Sequence, residues 1–275
     1  MSLAVPASRA QARQRNFSGV PSDVWGTEIT ASATPHALTG TETEIIAATT
    51  YEAEWIRITC QETHASATNT DSLLNIYIGA AGSEVLFIDS LLAGWAGAIA
   101  GTVTTPRSYW FPVRIPRGTR ISGELRALIA SETIEVLIEL GVSNGAHWVG
   151  SGVETLGEDT AASEGTDVTP GSGAEGSYAT IGTTGRRYRY IIPGVMGNND
   201  TTLLAGITAW DIGVGSAAYQ GLDDWINSDA ASEVQTPWTD MGFWCDIPSG
   251  TALQLRSAAN AAPSGLQTAA LYGVY

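Results

Sequence analysis

Alternating apolar and polar residues are the clearest signal along this 275-residue chain. Residues 120–128 place apolar side chains on one face, among them Ile121 and Leu125, and charged side chains on the other. Residues 134–140 are apolar at every second position, and residues 55–60 behave similarly. A period of two is typical of a strand with one buried face. The pattern therefore predicts strands in these three segments.

Helical periodicity is nearly absent, and residues 83–92 are the best candidate for a short helical turn. The sequence Ile-Pro-Arg-Gly-Thr at 115–119 predicts a turn between strands, because proline and glycine take the backbone angles that such turns need. Short strands in a chain with 31 glycines are typical of a β-sandwich. We expect an all-β fold of jelly-roll type.

Four landmarks recur in the same order along the chain, at offsets of 139, 134, 132 and 132 residues. The pairs are residues 26–30 with 165–169, 78–79 with 212–213, 111–119 with 243–251, and 140–142 with 272–274. A single match this short means little, but four in order indicate a tandem duplication. The sequence thus predicts two β-sandwich domains of one design.

The landmarks set the expected domain boundaries. Residues 26–143 form the first repeat and residues 165–275 the second. Residues 144–164 are rich in Gly, Ser, Glu and Thr, which is the composition of a linker. Residues 1–25 are left as an extended N-terminal arm.

The composition is that of a globular protein, with 44% hydrophobic and 15% charged residues. No apolar run approaches the roughly 18 residues of a membrane helix, so we expect no membrane partner. The net charge is −15, and all 13 cations are arginines. Residues 1–24 carry a net +2, whereas residues 25–145 carry −7 and residues 146–275 carry −10. Bodies this acidic repel phosphate, which argues against a nucleic-acid partner.

The basic charge of the arm comes from Arg9, Arg13 and Arg15, which are spaced among Ala, Gln and Ser. On composition alone such a segment is flexible. A polar arm is ordered most readily by packing on another subunit, so these three arginines are candidate assembly residues.

Candidate catalytic and metal-binding residues are few. The histidines, His36, His64 and His147, lie on poorly patterned segments without a nucleophile motif beside them. Cys60 and Cys245 fall in different halves and lack metal-ligand spacing, so buried free thiols are expected. We predict that the protein is not an enzyme, with no catalytic residue, no metal site and no cofactor.

Acidic clusters do not change that prediction. Asn198-Asn199-Asp200 and Glu158-Asp159 offer oxygen ligands for calcium, but the spacing of an EF-hand loop is missing, and polar turns explain both. Glycosidases need two facing carboxylates, and among 28 acidic residues the sequence selects no pair.

Tryptophan and tyrosine are abundant, with nine of each. The aromatic residues before the repeated turn are expected in the core or between sheets: Trp110, Phe111, Phe243 and Trp244. Another group lies in more polar surroundings: Trp210, Trp225 and Trp238. For this second group the sequence leaves open a core role, an interface anchor and a sugar-stacking platform.

The two repeats differ in charge at one place. Glu52 and Glu54 of the first repeat correspond approximately to Arg186, Arg187 and Arg189 of the second. We hypothesise that these opposite charges meet, within one chain or between neighbouring subunits, and fix the register of association. Two solvated faces that diverged are the alternative.

Two strings resemble segments of tailed-bacteriophage virion proteins: Ile-Gly-Ala-Ala-Gly-Ser-Glu at 78–84 and Tyr-Trp-Phe-Pro-Val-Arg-Ile-Pro-Arg-Gly-Thr-Arg-Ile at 109–121. The resemblance is weaker in the second repeat, which has Trp-Cys-Asp at 244–246 where the first has Pro-Val-Arg. It implies a structural role in the virion, assembled in the host bacterial cytoplasm, as a capsid decoration or as part of a tail, baseplate or fibre. The implied partners are other copies of the chain and other virion proteins.

Two other functions remain open from the sequence. The chain is alternatively a carbohydrate-binding, receptor-binding tail protein, which would use exposed tryptophans to hold a host surface glycan. A depolymerase or other hydrolase is the third reading.

Overall fold

The computed structural model describes residues 13–15, 26–62, 71–93, 106–143, 148–198, 206–215, 219–229, 242–259 and 267–275. These residues form 20 strands and no helix, which confirms the predicted all-β fold. The helical turn expected at 83–92 is wrong, because this segment contains a strand, Val85–Leu92. The predicted strands at 55–60, 120–128 and 134–140 are confirmed.

The first half of the chain contains nine strands in two sheets. The strands are β1 Arg13–Arg15, β2 Thr27–Thr30, β3 Thr43–Ile46, β4 Trp55–Glu62, β5 Ser72–Gly79, β6 Val85–Leu92, β7 Arg107–Phe111, β8 Arg120–Ala127 and β9 Thr133–Gly141. Sheet A has the order β1–β9–β4–β7, and β2 also pairs with β9. Sheet B has the order β3–β8–β5–β6.

The second half contains eleven strands in two further sheets. The strands are β10 Val153–Leu156, β11 Glu158–Asp159, β12 Glu164–Val168, β13 Gly171–Ser172, β14 Ala179–Thr183, β15 Tyr188–Asn198, β16 Gly206–Val214, β17 Tyr219–Asp229, β18 Phe243–Ile247, β19 Ala252–Ala259 and β20 Gln267–Val274. Sheet C has the order β11–β12–β20–β15–β18, and β10 also pairs with β20. Sheet D has the order β13–β19–β16–β17, and β14 also pairs with β19.

The two halves have the same strand order. In sheet A, β2–β9–β4–β7 matches β12–β20–β15–β18 of sheet C, and in sheet B, β3–β8–β5–β6 matches β14–β19–β16–β17 of sheet D. Eight antiparallel strands that alternate between two sheets in this way form a jelly roll. Each half is thus a jelly-roll sandwich, while descent by duplication stays a prediction.

The core of the first sandwich is built from the inward faces that the alternation predicted. Ile121 and Leu125 of β8 are fully buried, as are Ile56 and Ile58 of β4. Fully burying an Ile or Leu side chain contributes about 1.5–3 kcal/mol. At Gly123 of β8 the opposed sheet comes so close that no side chain larger than hydrogen fits without movement.

Strand β20 and residues 190–195 of β15, in the middle of sheet C, are buried on both faces, which joins the two halves into one structure. Tyr188 and Leu271 face the core of the second sandwich. Tyr190 and Tyr272, from the same two strands, belong instead to the core of the first half. All eight residues of β20 are buried as a result, and its alternation of apolar and polar residues is lost.

Buried hydrogen bonds fix this junction. The backbone N–H of Leu92 in β6 donates to the hydroxyl of Tyr272 at 2.7 Å, and the hydroxyl of Tyr109 donates to the carbonyl of Leu92 at 2.7 Å. The Tyr109 and Tyr272 rings meet edge to face, with centroids 5.4 Å apart. The edge of the first sandwich is therefore closed by a sheet of the second.

Each half begins earlier than the predicted boundaries. The arm supplies β1, which pairs with β9, and the segment expected as a linker supplies β10, which pairs with the matching strand β20. The side chains of the two strands also correspond. The Oε1 of Gln14 accepts the N–H of Thr50 at 2.7 Å, and the carboxylate of Glu154 accepts the N–H of Gly185 at 3.1 Å. Both segments thus contribute an outer strand to their sandwich.

Candidate functional site

Both halves hold their Ile-Pro-x-Gly-Thr turn in the same way, around one threonine. The hydroxyl of Thr49 donates to the carbonyl of Pro116 at 2.6 Å and accepts the N–H of Thr119 at 3.0 Å. Thr184 makes the same two bonds to the turn at 248–251, at 2.7 Å and 3.0 Å. We call each arrangement a threonine clasp. The clasps fix the loops that carry the charged residues described next.

Exposed ion pairs occupy matching positions beside the two clasps, but with the charges exchanged. In the first half, Glu52 lies 3.4 Å from Arg114. In the second half, Arg187 donates two hydrogen bonds of 2.6 Å to the carboxylate of Asp246, and Arg189 lies 3.5 Å from the same group. The sequence predicted the difference in charge between the repeats but not the partners that balance it.

The remaining residues of the predicted charged interface also have partners within their own halves. The Glu54 carboxylate accepts hydrogen bonds from the N–H and hydroxyl of Ser143, at 2.8 Å and 2.6 Å. The guanidinium of Arg186 lies over the Tyr275 ring, 5.6 Å from its centroid. The described ion pairs thus form inside each half, and contact between the two groups across neighbouring subunits stays a prediction.

The three arginines of the arm are placed only in part. Arg13 and Arg15 belong to β1 and pair through their backbones with Gly141 and Glu139 of the same chain. Arg9 lies outside the described residues. The expectation that the arm packs on another subunit therefore stays a prediction for the residues before β1.

The structure places one of the three tryptophans for which the sequence left a core, an interface or a sugar-binding role open. Trp210 is fully buried in the core of the second sandwich, which is the first of these roles. Its polar neighbour Asp211 is itself buried and lies 2.8 Å from Arg256. Trp225 belongs to β17, but its side chain is outside the described part of the chain, and so is Trp238.

An exposed aromatic side chain is found instead at Trp244, which the sequence predicted in the core. Trp244 is 52% exposed, whereas the core prediction is confirmed for Phe111, which is buried. The Trp244 ring packs on Tyr190 at a centroid distance of 4.8 Å, and Tyr190 meets Trp110 edge to face at 5.6 Å. We call Trp110, Tyr190 and Trp244 the aromatic row. It crosses the seam between the two halves.

The ion pair of the second half stands on the same strand as the end of the aromatic row. Along β18, Trp244 and Asp246 are exposed, while the residues between and beside them are more covered. Hydrogen bonds from Arg187 lower the pKa of Asp246, so this carboxylate stays ionised at neutral and mildly acidic pH. A β-bulge between Tyr188 and Tyr190 directs Arg189 toward the same group.

A second exposed surface lies where the segment between the halves meets the first sandwich. It is a groove of about 640 Å³, and we call it the junction groove. Its apolar walls are Ile78, Val85, Phe87, Pro116, Trp148 and Val149. Val85 is 64% exposed and Trp148 is 41% exposed. The groove lies beside the first residues of β6, the last strand of sheet B, while residues 89–92 of the same strand are covered by the second half.

The histidine and cysteine side chains that the structure describes face the fold, and Cys245, between Trp244 and Asp246 on β18, packs against the second core. Nδ1 of His36 is 3.0 Å from the hydroxyl of Ser163, which is fully buried and so out of reach of a substrate. Burial raises the pKa of Cys60 to about 12 and that of Cys245 to about 11, and both thiols are free. The contact between His36 and Ser163 thus joins the two halves, while the two thiols pack in or against the cores.

One buried carboxyl group is close to the junction of the halves. Asp71 is 3% exposed at the start of β5. Burial raises its pKa to about 7, the negative charge of Glu164 adds to the rise, and Arg107 opposes it. One of its carboxylate oxygens has no hydrogen-bond partner among the described residues.

The part of the chain that the structure describes brings together no group of three or more His, Cys, Asp or Glu side chains able to hold a metal ion. Within the same residues there is no helix with the length and apolar character needed to cross a membrane.

Comparison with known proteins adds little to these observations. No protein-family model matches the chain, and no curated protein is similar to it. Among solved structures, it is similar to the crystal structure of an F-lectin (fucolectin) from the serum of Morone saxatilis, the striped bass, at 11% identity. The match covers 91% of this chain and 96% of the lectin with a TM-score of 0.17, which is too low to carry an argument.

Proposed function

We propose that the protein is a non-enzymatic structural component of a tailed-bacteriophage virion. It joins a symmetric particle as a capsid decoration or as part of a tail, baseplate or fibre. The observation that carries the assembly role is the junction groove, and the resemblance of residues 78–84 and 109–121 to virion proteins supports its place in a phage particle.

The groove has the properties of a surface that is covered in an assembly. Val85 and Trp148 expose large apolar areas beside the edge strand β6. Exposed apolar patches of this kind on soluble proteins often mark a surface that another protein covers. The single charged side chain that lines the groove, Arg114, is held by Glu52 at its rim.

The occupant that we propose is the N-terminal arm of a second copy of the chain. Residues 1–12, which precede β1, carry a net +1 from Arg9, while residues 13–275 carry a net −16. The arm of one copy is thus attracted to the body of the next. The twelve residues before β1 span up to roughly 40 Å when extended, and their apolar residues Leu3 and Val5 match the apolar lining of the groove in character.

Self-association of three variants tests the assembly role by sedimentation velocity. We expect the wild-type chain to associate, and both Trp148→Ala and a chain lacking residues 2–12 to need at least tenfold higher concentration. Trp244→Ala is the matched control, because it removes an exposed tryptophan outside the groove. A wild-type chain that stays monomeric at every concentration and does not bind purified particles would overturn the proposal.

The phage role needs a separate measurement. Antibodies against the chain, viewed by electron microscopy on purified particles, are expected to label the head or the tail at regular positions. Particles that carry no label, while the protein is present in the infected-cell lysate, would remove the virion assignment.

A further inference from the structure

We infer that the aromatic row and the ion pair beside it form a saccharide-binding surface on β18 of the second sandwich. The ligand class is a pyranose sugar at the exposed end of a glycan. The inference is independent of the assembly role, because it uses a different surface.

The first argument is the chemistry of the exposed side chains. A pyranose ring offers an apolar face of C–H groups and a rim of hydroxyls that both donate and accept hydrogen bonds. Trp244 supplies an exposed indole for the apolar face. Asp246 and Arg187 supply acceptors and donors next to it, on a rigid strand.

The second argument is the spacing. Trp244 and Asp246 are two residues apart on the same exposed face of β18. Two residues along a strand span about 6.8 Å. That distance allows one sugar ring to rest on the indole while its hydroxyls reach the ion pair.

The third argument is that the polar groups are fixed but not exhausted. Arg187 uses two of its five N–H groups on Asp246. The side chains of Arg187 and Asp246 are 57% and 50% exposed, so their remaining donors and acceptors face solvent. The Trp244 ring is held by Tyr190, which is itself held by Trp110. A site prepared in this way loses little conformational entropy on binding.

The fourth argument is the contrast with the first sandwich, where the same edge is closed. There Pro112 and Arg114 bond through their backbones to Gly150, which covers the edge. In the second sandwich, the described residues pair β18 with β15 alone. Where the first sandwich has Gly150 paired along this edge, the described part of the second has no second partner strand for β18, which carries Trp244 and Asp246.

A printed array of defined oligosaccharides tests the inference, and titration calorimetry then measures each sugar that binds. We expect Trp244→Ala and Asp246→Asn to weaken binding at least tenfold, and Trp244→Phe to weaken it less because a ring is kept. Trp148→Ala should bind like the wild type, since its side chain lies in the junction groove. Thermal unfolding of each variant verifies that the fold is kept.

Two results would overturn the inference. One is the absence of any saccharide bound by the folded wild-type chain at millimolar concentration. The other is saccharide binding that Trp244→Ala leaves unchanged. If Trp244→Ala instead reduces self-association, then the surface is a protein interface. Loss of association in Trp148→Ala bears on the assembly role alone.

Discussion

Removal of the Tyr272 hydroxyl is the sharpest test of the joint between the two halves. This hydroxyl accepts the N–H of Leu92 at 2.7 Å and lies 3.4 Å from the carbonyl of Ser90, in a fully buried position. Tyr272→Phe keeps the ring and its edge contacts with Tyr109 and Phe111. The variant therefore isolates the polar contact from the packing.

The expected loss follows from the orphaned donor. A buried N–H left without a partner costs about 1–3 kcal/mol. If the 275 residues unfold together, their unfolding entropy of roughly 0.6 kcal/mol/K converts this loss into a fall in Tm of about 2–5 °C. Because the partners belong to different halves, we expect one calorimetric transition that moves as a whole.

Calorimetry and hydrogen exchange together check this expectation. Tyr51→Phe is the matched control, since its hydroxyl donates to the Leu140 carbonyl within the first half at 2.8 Å. We expect Tyr272→Phe, and not the control, to speed amide exchange in the peptide that contains Leu92. Coupling of the two halves in unfolding would be refuted by two separate transitions in the wild type. It would also be refuted by a Tm change below 0.5 °C in Tyr272→Phe, because a fall of at least roughly 2 °C is expected.

Three further predictions concern single residues. The pKa of Asp71 is raised from 3.8 to about 7, so the folded state binds more protons than the unfolded state between these pH values. The free energy of unfolding should therefore fall as the pH rises through this range, by at most about 4 kcal/mol. Urea unfolding at pH 4 to 8 should show this slope, and Asp71→Asn should flatten it. Thr49→Val and Thr184→Val should each cost about 1–2 kcal/mol in the same assay, because each removes the two hydrogen bonds of a clasp; a clasp whose loss is neutral contradicts its structural role. Gly141→Ala should cost about 1–3 kcal/mol, since its Cβ would clash with the Trp55 ring, and a companion Trp55→Ala change should relieve that clash.

The sequence predicted the elements whose two faces have different surroundings. In β9, buried Ile134, Val136 and Ile138 alternate with less buried residues, and this pattern needs no knowledge of the rest of the fold. In β6, by contrast, the apolar residues are spaced irregularly because a bulge interrupts its pairing with β5. The same segment therefore fitted a helical turn equally well.

The open and the wrong assignments at the candidate site have a common physical cause. Trp210 lies in polar surroundings in the sequence, so its burial could not be chosen among the alternatives, and the charge of its neighbour Asp211 is balanced by Arg256 in the interior. Trp244 lies beside the apolar Phe243 and was expected in the core, yet alternation along β18 turns it outward. Neighbouring residues in a strand point to opposite sides, so the polarity of a neighbour says little about burial.

Two arm-like segments were also missed as strands. β1 has three residues and β10 has four, which is too short for any periodicity. Their pairing is specified by partners far along the chain, at Gly141 and at Val274. Such long-range contacts leave no local mark in the sequence.

The double burial of β15 and β20 has an evolutionary consequence. A sandwich that stands alone has a solvated outer face, whereas in these two strands of sheet C that face lies in the interior of the neighbouring sandwich. Neither half can now be lost, or exchanged for the other, without exposing a large apolar area. From that point selection acts on the two halves as one heritable unit, free to diverge at their surfaces but committed to remaining together.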